Sequence, residues 1–226
     1  MNWRTGAARQ RSQGDKTGFF LSLDGPDGSG KTTQARRLEA WLRGIGREVL
    51  LCRDPGGTAL GERLRALLLD HHEGDLAIGL RAEMLLYMTS RAELVDEVIA
   101  PALAEGKVVI SDRYLLANVV YQGYAGGLDV EEVWQVGRAA TGGLLPDLTL
   151  VLDVPPDVAD SRLGVPRDRM EARPAAFRRK VRSGFLKALA SYLAPILLID
   201  ATADADAVEA KIRGEVASVL GIGSRA

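Results

Sequence analysis

The chain has 226 residues, 46% of them apolar, enough to bury one full core and too few for two large domains. Its formal net charge of −1 argues against a general nucleic-acid footprint or a polybasic membrane attachment. No run approaches the ~20 apolar residues that span a bilayer, and the single Cys52 cannot close an internal disulfide, so a soluble, cytoplasmic protein is expected.

Residues 1 to 18 are rich in Arg, Gln, Gly and Ser, with no apolar stretch and no cleavage-site pattern, and are expected to form a disordered leader. The strand-like run Phe19-Phe20-Leu21-Ser22-Leu23 then delivers Asp24 through Thr33. Within that stretch Gly25, four intervening residues and Gly30-Lys31-Thr32 match the phosphate-binding P-loop. The glycines Gly25, Gly28 and Gly30 let successive main-chain N–H groups, with Asp27, Ser29 and Thr33 in the same loop, converge on nucleotide phosphates. Lys31 is expected to reach the β and γ phosphates, and Thr32 to ligate Mg²⁺. Apolar residues at helical spacing follow as far as Leu42, giving the strand, loop and helix order that such a loop requires.

Gly44-Ile45-Gly46 breaks the helix, and Glu48 to Cys52 reads as a second strand ending at Arg53-Asp54-Pro55-Gly56-Gly57-Thr58. Thr58 is a suitable cap for a helix over Ala59 to Leu69. His71 and His72 are adjacent and share no helix face, so a solvated loop is expected there. A long helix is predicted from about Ile78 to Ala100, with Leu80, Met84, Met88, Val95 and Val98 on one face. Arg91 projects near the middle of that face, with Tyr87 one turn before it and Glu83 one turn earlier. A buried guanidinium needs partners, so Arg91 either meets an internal carboxylate or points into a cleft where a polar ligand meets it.

Lys107 to Ser111 forms a third predicted strand and places Asp112-Arg113-Tyr114 at its carboxyl end, where open parallel sheets bind ligands. A helical Leu115 to Gln122, a loop with glycines at 123, 126 and 127, and a helix from Val130 to about Ala140 follow. Leu148 to Asp153 is a fourth strand, and Pro195 to Asp200 a fifth before a helix from about Asp204 to Leu220. Between those strands, Arg162 to Arg182 is strongly basic and is broken by Gly164-Val165-Pro166. It is either a solvated face or a mobile cationic lid, over about 160–173, that closes on phosphates. The alternation of strand and helix predicts an α/β protein with a five-stranded, doubly wound parallel sheet flanked by helices.

A P-loop alone names no reaction. No Asn-Lys-x-Asp guanine-reading motif is present, which argues against a GTPase. Arg91, Arg113, Asn118, Tyr87 and Tyr121 form a second polar and aromatic set suited to a second anionic ligand, which points to phosphoryl transfer. Across about residues 19 to 220 the chain resembles the thymidylate kinase family of P-loop kinases. The resemblance rests on Asp27 to Gln34; Arg53 to Thr58 with Glu62 and Arg65; Leu85-Leu86-Tyr87 with Arg91; Asp112-Arg113-Tyr114 with Tyr121-Gln122-Gly123; and Asp168-Arg169-Met170-Glu171.

The resemblance implies an ATP- and Mg²⁺-dependent conversion of dTMP to dTDP by a homodimer joined through its long helices. It implies that Tyr87 stacks on thymine where the family generally has Phe, that Arg91 hydrogen-bonds the base, that Asn118 meets the thymine ring, and that Gln122 belongs to the substrate-binding set. Arg113, with Arg53 near it, would bind the acceptor phosphate; Asp27 would contact the sugar 3′-hydroxyl and Tyr121 would close the space beside C2′. Thr32 and Asp112 would hold Mg²⁺, and Arg162, Arg167 and Arg169 are candidates for the transition-state cation. The chain departs from the pattern at Asp54, where Glu is usual, at Ala117, where Ser is common, and at Gly28, where some relatives place Arg. Another nucleoside monophosphate kinase, a deoxynucleoside kinase and a non-catalytic nucleotide-binding module are the alternative readings.

Overall fold

A computed structural model describes residues 18–70, 78–163 and 168–222. All but the last residue of the leader expected over 1–18, the loop with His71 and His72, and the Gly164-Val165-Pro166 break lie outside the described residues. Gly18 belongs to the fold and not to a leader, because its N–H donates to the Leu103 carbonyl at 2.8 Å.

Among the described residues, β1 (Phe19–Asp24), β2 (Val49–Arg53), β3 (Val108–Asp112), β4 (Leu148–Asp153) and β5 (Ile196–Asp200) form one parallel sheet in the order β2-β3-β1-β4-β5. β1 is central, with Leu21 in register with Ile110 on one side and Leu148 on the other. Its strands are apolar on both faces, as a sheet covered on both sides requires. Phe20, Val109 and Val151 face one core, while Leu21, Leu23, Val108, Ile110, Leu150 and Leu152 face the other.

The second of these cores is covered by α1 (Lys31–Gly44) and α9 (Ala205–Val219), whose buried stripes include Leu38, Leu42, Ile212 and Val216. The first core is covered by α3 (Leu80–Leu94), α4 (Ala100–Ala104), α5 (Leu115–Asn118), α6 (Val130–Ala140) and α8 (Ala175–Ala188). α2 (Ala59–Leu69) packs on α3, and α7 (Pro156–Leu163) precedes α8. Thr58 caps α2 as expected, its hydroxyl accepting from Gly61 N at 2.9 Å.

The helix predicted to end near Ala100 runs on to Ala104. A π-helical stretch, Val95–Ile99, joins α3 to α4, and Pro101 occupies the first turn of the latter. Proline has no N–H to donate back along a continuous helix, and the wide π-helical turn directly before it is where the α-helical bonding pattern is broken. A second π-helical stretch, Val119–Ala125, continues α5 through Tyr121 and Gln122 and takes in Gly123, which the sequence assigned to a loop. Among the described residues no helix is long and apolar enough to cross a membrane.

Candidate active site

The carboxyl ends of β1, β2 and β3 open into one cleft of about 1020 Å³. At its donor end the loop after β1 enters α1 through Gly30, which is left-handed (φ 90°) and provides no side-chain cap. The first N–H groups of α1 therefore remain available to an anion. The loop fits only glycine at two further points. A Cβ on Gly25 would stand 2.4 Å from the Leu152 carbonyl oxygen, and one on Gly28 would stand 2.5 Å from that of Ala159.

Lys31 folds back over this loop, its Nζ donating to the Pro26 carbonyl at 2.7 Å beside the buried Ser29. Burial, with Arg113 adding to it, pulls the Lys31 ammonium down to about 8 against the opposing carboxylates of Asp27, Asp112 and Asp24. Thr32 Oγ1 donates to Asp112 at 2.5 Å, and Thr33 lines the cleft beside it. Thr32 and Asp112 present oxygen donors of the kind Mg²⁺ takes. Among the described residues no cluster of three or more His, Cys, Asp or Glu surrounds them, so the remaining ligands would be phosphate oxygens and water.

Arg113 is the hub of the acceptor end. Its φ of 71° puts a non-glycine residue in the left-handed region, a strained arrangement that persists only where its surroundings fix it. Its N–H donates to the Leu23 carbonyl at 2.9 Å, and Ser111 Oγ donates to its carbonyl at 2.6 Å. So held, the guanidinium donates to the Gly25 carbonyl at 3.0 Å, forms a close ion pair with Asp27, and lies 5.2 Å from the Tyr121 ring centre. Tyr121 donates its hydroxyl to the other Asp27 oxygen at 2.8 Å. Burial pushes the Asp27 carboxyl up, but Arg113, Lys31 and Tyr121 outweigh it and hold the group below the usual carboxylate range.

Arg91 meets an internal carboxylate, the first alternative that its position on the helix raised, and it also borders the cleft. It is buried against Asp54 at 2.5 Å, donates to Asn118 Oδ1 at 3.0 Å, and still lines the cleft. Tyr87 lines the same wall, its hydroxyl pushed well above the ordinary tyrosine range by burial. Asn118 and Gln122 are buried and bonded to each other at 2.6 Å. Arg53 lines the cleft while paired with Glu62 at 2.7 Å.

Arg162 and Arg169 are held by different partners. Arg162 donates to the carbonyls of Ala201, Thr202 and Ala203, at 2.8, 3.0 and 3.1 Å, and would have to leave all three to meet a phosphate. Arg169 donates to Glu83 at 2.6 Å and to the Leu68 carbonyl at 3.0 Å, on the acceptor side. Arg167 lies outside the described residues.

A family model described as thymidylate kinase matches residues 23–212. The chain belongs to the thymidylate kinase family. It is 47% identical over 185 residues to a thymidylate kinase of Rhodopirellula baltica, covering 82% of this chain and 74% of that one. The thymidylate kinase of Leifsonia xyli subsp. xyli is 46% identical over 202 residues, 88% of this chain and 94% of the relative. That of Nitratidesulfovibrio vulgaris is 42% identical over 216 residues, 92% and 100% of the two chains.

Two features of this thymidylate kinase family site escaped the sequence. Asp54 is the carboxylate that Arg91 meets, although in the sequence it stood out only as a departure from the usual Glu. Glu83 joins the acceptor wall to Arg169; its place two helical turns before Arg91 was the available signal. The contact of Gly28 with Ala159 also accounts for the absence of a longer side chain there.

Proposed function

We propose that this member of the thymidylate kinase family transfers the γ-phosphoryl group of ATP to the 5′-phosphate of dTMP, giving dTDP and ADP. The observation that carries this reading is the meeting of two anion sites across one loop. Lys31 and the open α1 terminus lie on one side, and Arg113, bonded to Gly25 and Asp27, on the other. The bond from the γ phosphorus to the β-bridging oxygen breaks as one forms to a dTMP phosphate oxygen. That oxygen is already anionic near neutral pH, so no general base is needed, and catalysis is alignment and charge neutralisation.

Lys31 meets the β and γ phosphates, and the α1 N–H groups hold them from below. Arg113, with Arg53 near it, holds the acceptor phosphate in line. Tyr87 stacks on thymine, and Arg91, Asn118 and Gln122 meet its edge. Asp27 receives the sugar 3′-hydroxyl, and Tyr121 fills the space beside C2′. Thr32 and Asp112 are the residues that would hold Mg²⁺, which when bound neutralises phosphate charge and fixes the phosphate oxygens. Arg162, Arg167 and Arg169 remain the proposed sources of the transition-state cation.

The lone Cys52 supports a cytoplasmic enzyme. Exposed Leu60 on α2 and Leu85 on α3, which pack together, support a homodimer formed through these helices; sedimentation measures it. The activity itself is tested by coupled ADP release with dTMP, dUMP, dGMP, dCMP and AMP as acceptors. Turnover selective for dTMP is expected, and a chain that binds ATP and dTMP but releases no ADP would be a binding module instead.

A further inference from the structure

The side chain of Glu83 is 1% exposed at the start of α3, yet it is a carboxylate. Such a group is retained only with partners, and its two oxygens serve different parts of the molecule. Oε1 accepts from Gln122 Nε2 at 2.9 Å. Oε2 accepts from Arg169 at 2.6 Å and, more weakly, from Arg173 at 3.5 Å. Arg169 is itself fixed to the end of α2, its main-chain N–H donating to the Leu69 carbonyl at 3.0 Å.

The hydrogen bonds leading from Arg91 to Glu83 have one possible direction. A guanidinium has only donors, so Arg91 turns the Asn118 oxygen toward itself at 3.0 Å. The Asn118 NH₂ then faces Gln122 Oε1 at 2.6 Å, which leaves the Gln122 NH₂ to face a carboxylate that can only accept. A pure donor at one end and a pure acceptor at the other thus select one orientation of each amide. Both amides line the cleft, and each retains one N–H and one lone pair for a ligand. The edge they present is therefore set by Arg91 at one end and, at the other, by Glu83, which is not among the residues lining the cleft.

We infer that Glu83 is a positioning residue for acceptor recognition: its carboxylate orients the Gln122 amide toward the nucleobase while holding Arg169 alongside. The inference rests on the dTMP kinase reading above. Replacing the carboxylate by an amide turns one acceptor into a donor, so either Gln122 or Arg169 then faces an N–H. Gln122 then loses the acceptor that faces its NH₂, while Arg91 still holds the Asn118 oxygen.

The test is a double-mutant cycle of Glu83→Gln and Gln122→Ala, measured as steady-state kinetics with dTMP and ATP varied in turn. Glu83→Gln is expected to raise the dTMP KM about tenfold or more, the size of one lost charge-assisted hydrogen bond, with the ATP KM within about twofold. In the Gln122→Ala background the same change should add less than about twofold to the dTMP KM. Fully multiplicative effects, or parallel rises in both Michaelis constants, would overturn the assignment, since a purely structural carboxylate changes the amount of folded enzyme and not its selectivity. Should Glu83→Gln fail to fold, Glu83→Asp, which keeps the charge but shortens the reach, takes its place in the cycle with the same expected outcomes. An unsubstituted chain that makes no dTDP would sink the dTMP kinase reading first; an active one with multiplicative effects sinks only the role of Glu83.

Discussion

In the proposed function the recognising groups at the donor end of the cleft are main-chain N–H groups and Lys31 from one short stretch, residues 24–33. At the acceptor end they are side chains brought together from the ends of β2 and β3, from α3, and from α5 with its π-helical continuation. The materials follow from the ligands. A phosphate is nearly symmetric and highly charged, so a cup of backbone dipoles is sufficient and demands only backbone geometry. A nucleobase and a sugar have edges that must be told apart, which requires donors and acceptors of fixed direction. The first kind of site is local in sequence and conformationally strict; the second is dispersed and held by mutual hydrogen bonding.

The largest test of this contrast is Lys31→Ala. It removes the donor-side cation that meets the migrating charge, and turnover should fall by about a thousandfold or more, while dTMP binding by calorimetry stays within about twofold. Loss of dTMP binding as well would show that the two ends are not separable. The converse is Asp27→Ala, which unpairs Arg113 and Tyr121 and should raise the dTMP KM about tenfold with little change for ATP; equal changes in both would place Asp27 with the donor half. A pH profile separates the ends without mutation. Because the Lys31 ammonium is lowered from its ordinary value to about 8, the free enzyme carries the charge below that pH and loses it above. The kcat/KM for ATP should therefore decline about tenfold per pH unit above about 8, and should stay level there if Lys31 is not the phosphate cation. The smallest effect is on stability. Gly28→Ala forces an alanine to φ 79° against the Ala159 carbonyl and should cost about 1–3 kcal/mol, seen as a lowered melting temperature; an unchanged one would mean the loop is less strict than its geometry.

The same division decides what could be read from the sequence. β4 at Leu148–Asp153, α2 with its Thr58 cap and α6 at Val130–Ala140 coincide with the sequence reading, because periodicity and capping are local signals. The P-loop was legible for the same reason. The helix beyond Pro101 was not, since only a wide turn at Val95–Ile99, set by packing, carries the chain into it. In the site, Arg91 announced a need for a partner, but Asp54 and Asn118 lie 37 and 27 residues away, and no local rule connects them. The roles of the arginines in the basic stretch were no more legible, because Arg162 is occupied by carbonyls after β5 that helical spacing does not reveal.

The contact between Gly28 and the Ala159 carbonyl bears on how such an enzyme can change. On paper, exchanging a loop glycine for arginine is a one-codon matter. In this molecule it involves two elements, because a side chain at position 28 runs into the Ala159 carbonyl of α7. A variant that acquires the arginine first strains the phosphate cup, and one that displaces α7 first disturbs the segment carrying Arg162. Moving the cation from one part of the chain to the other therefore requires paired substitutions, and single-site libraries built on this sequence should not find the route.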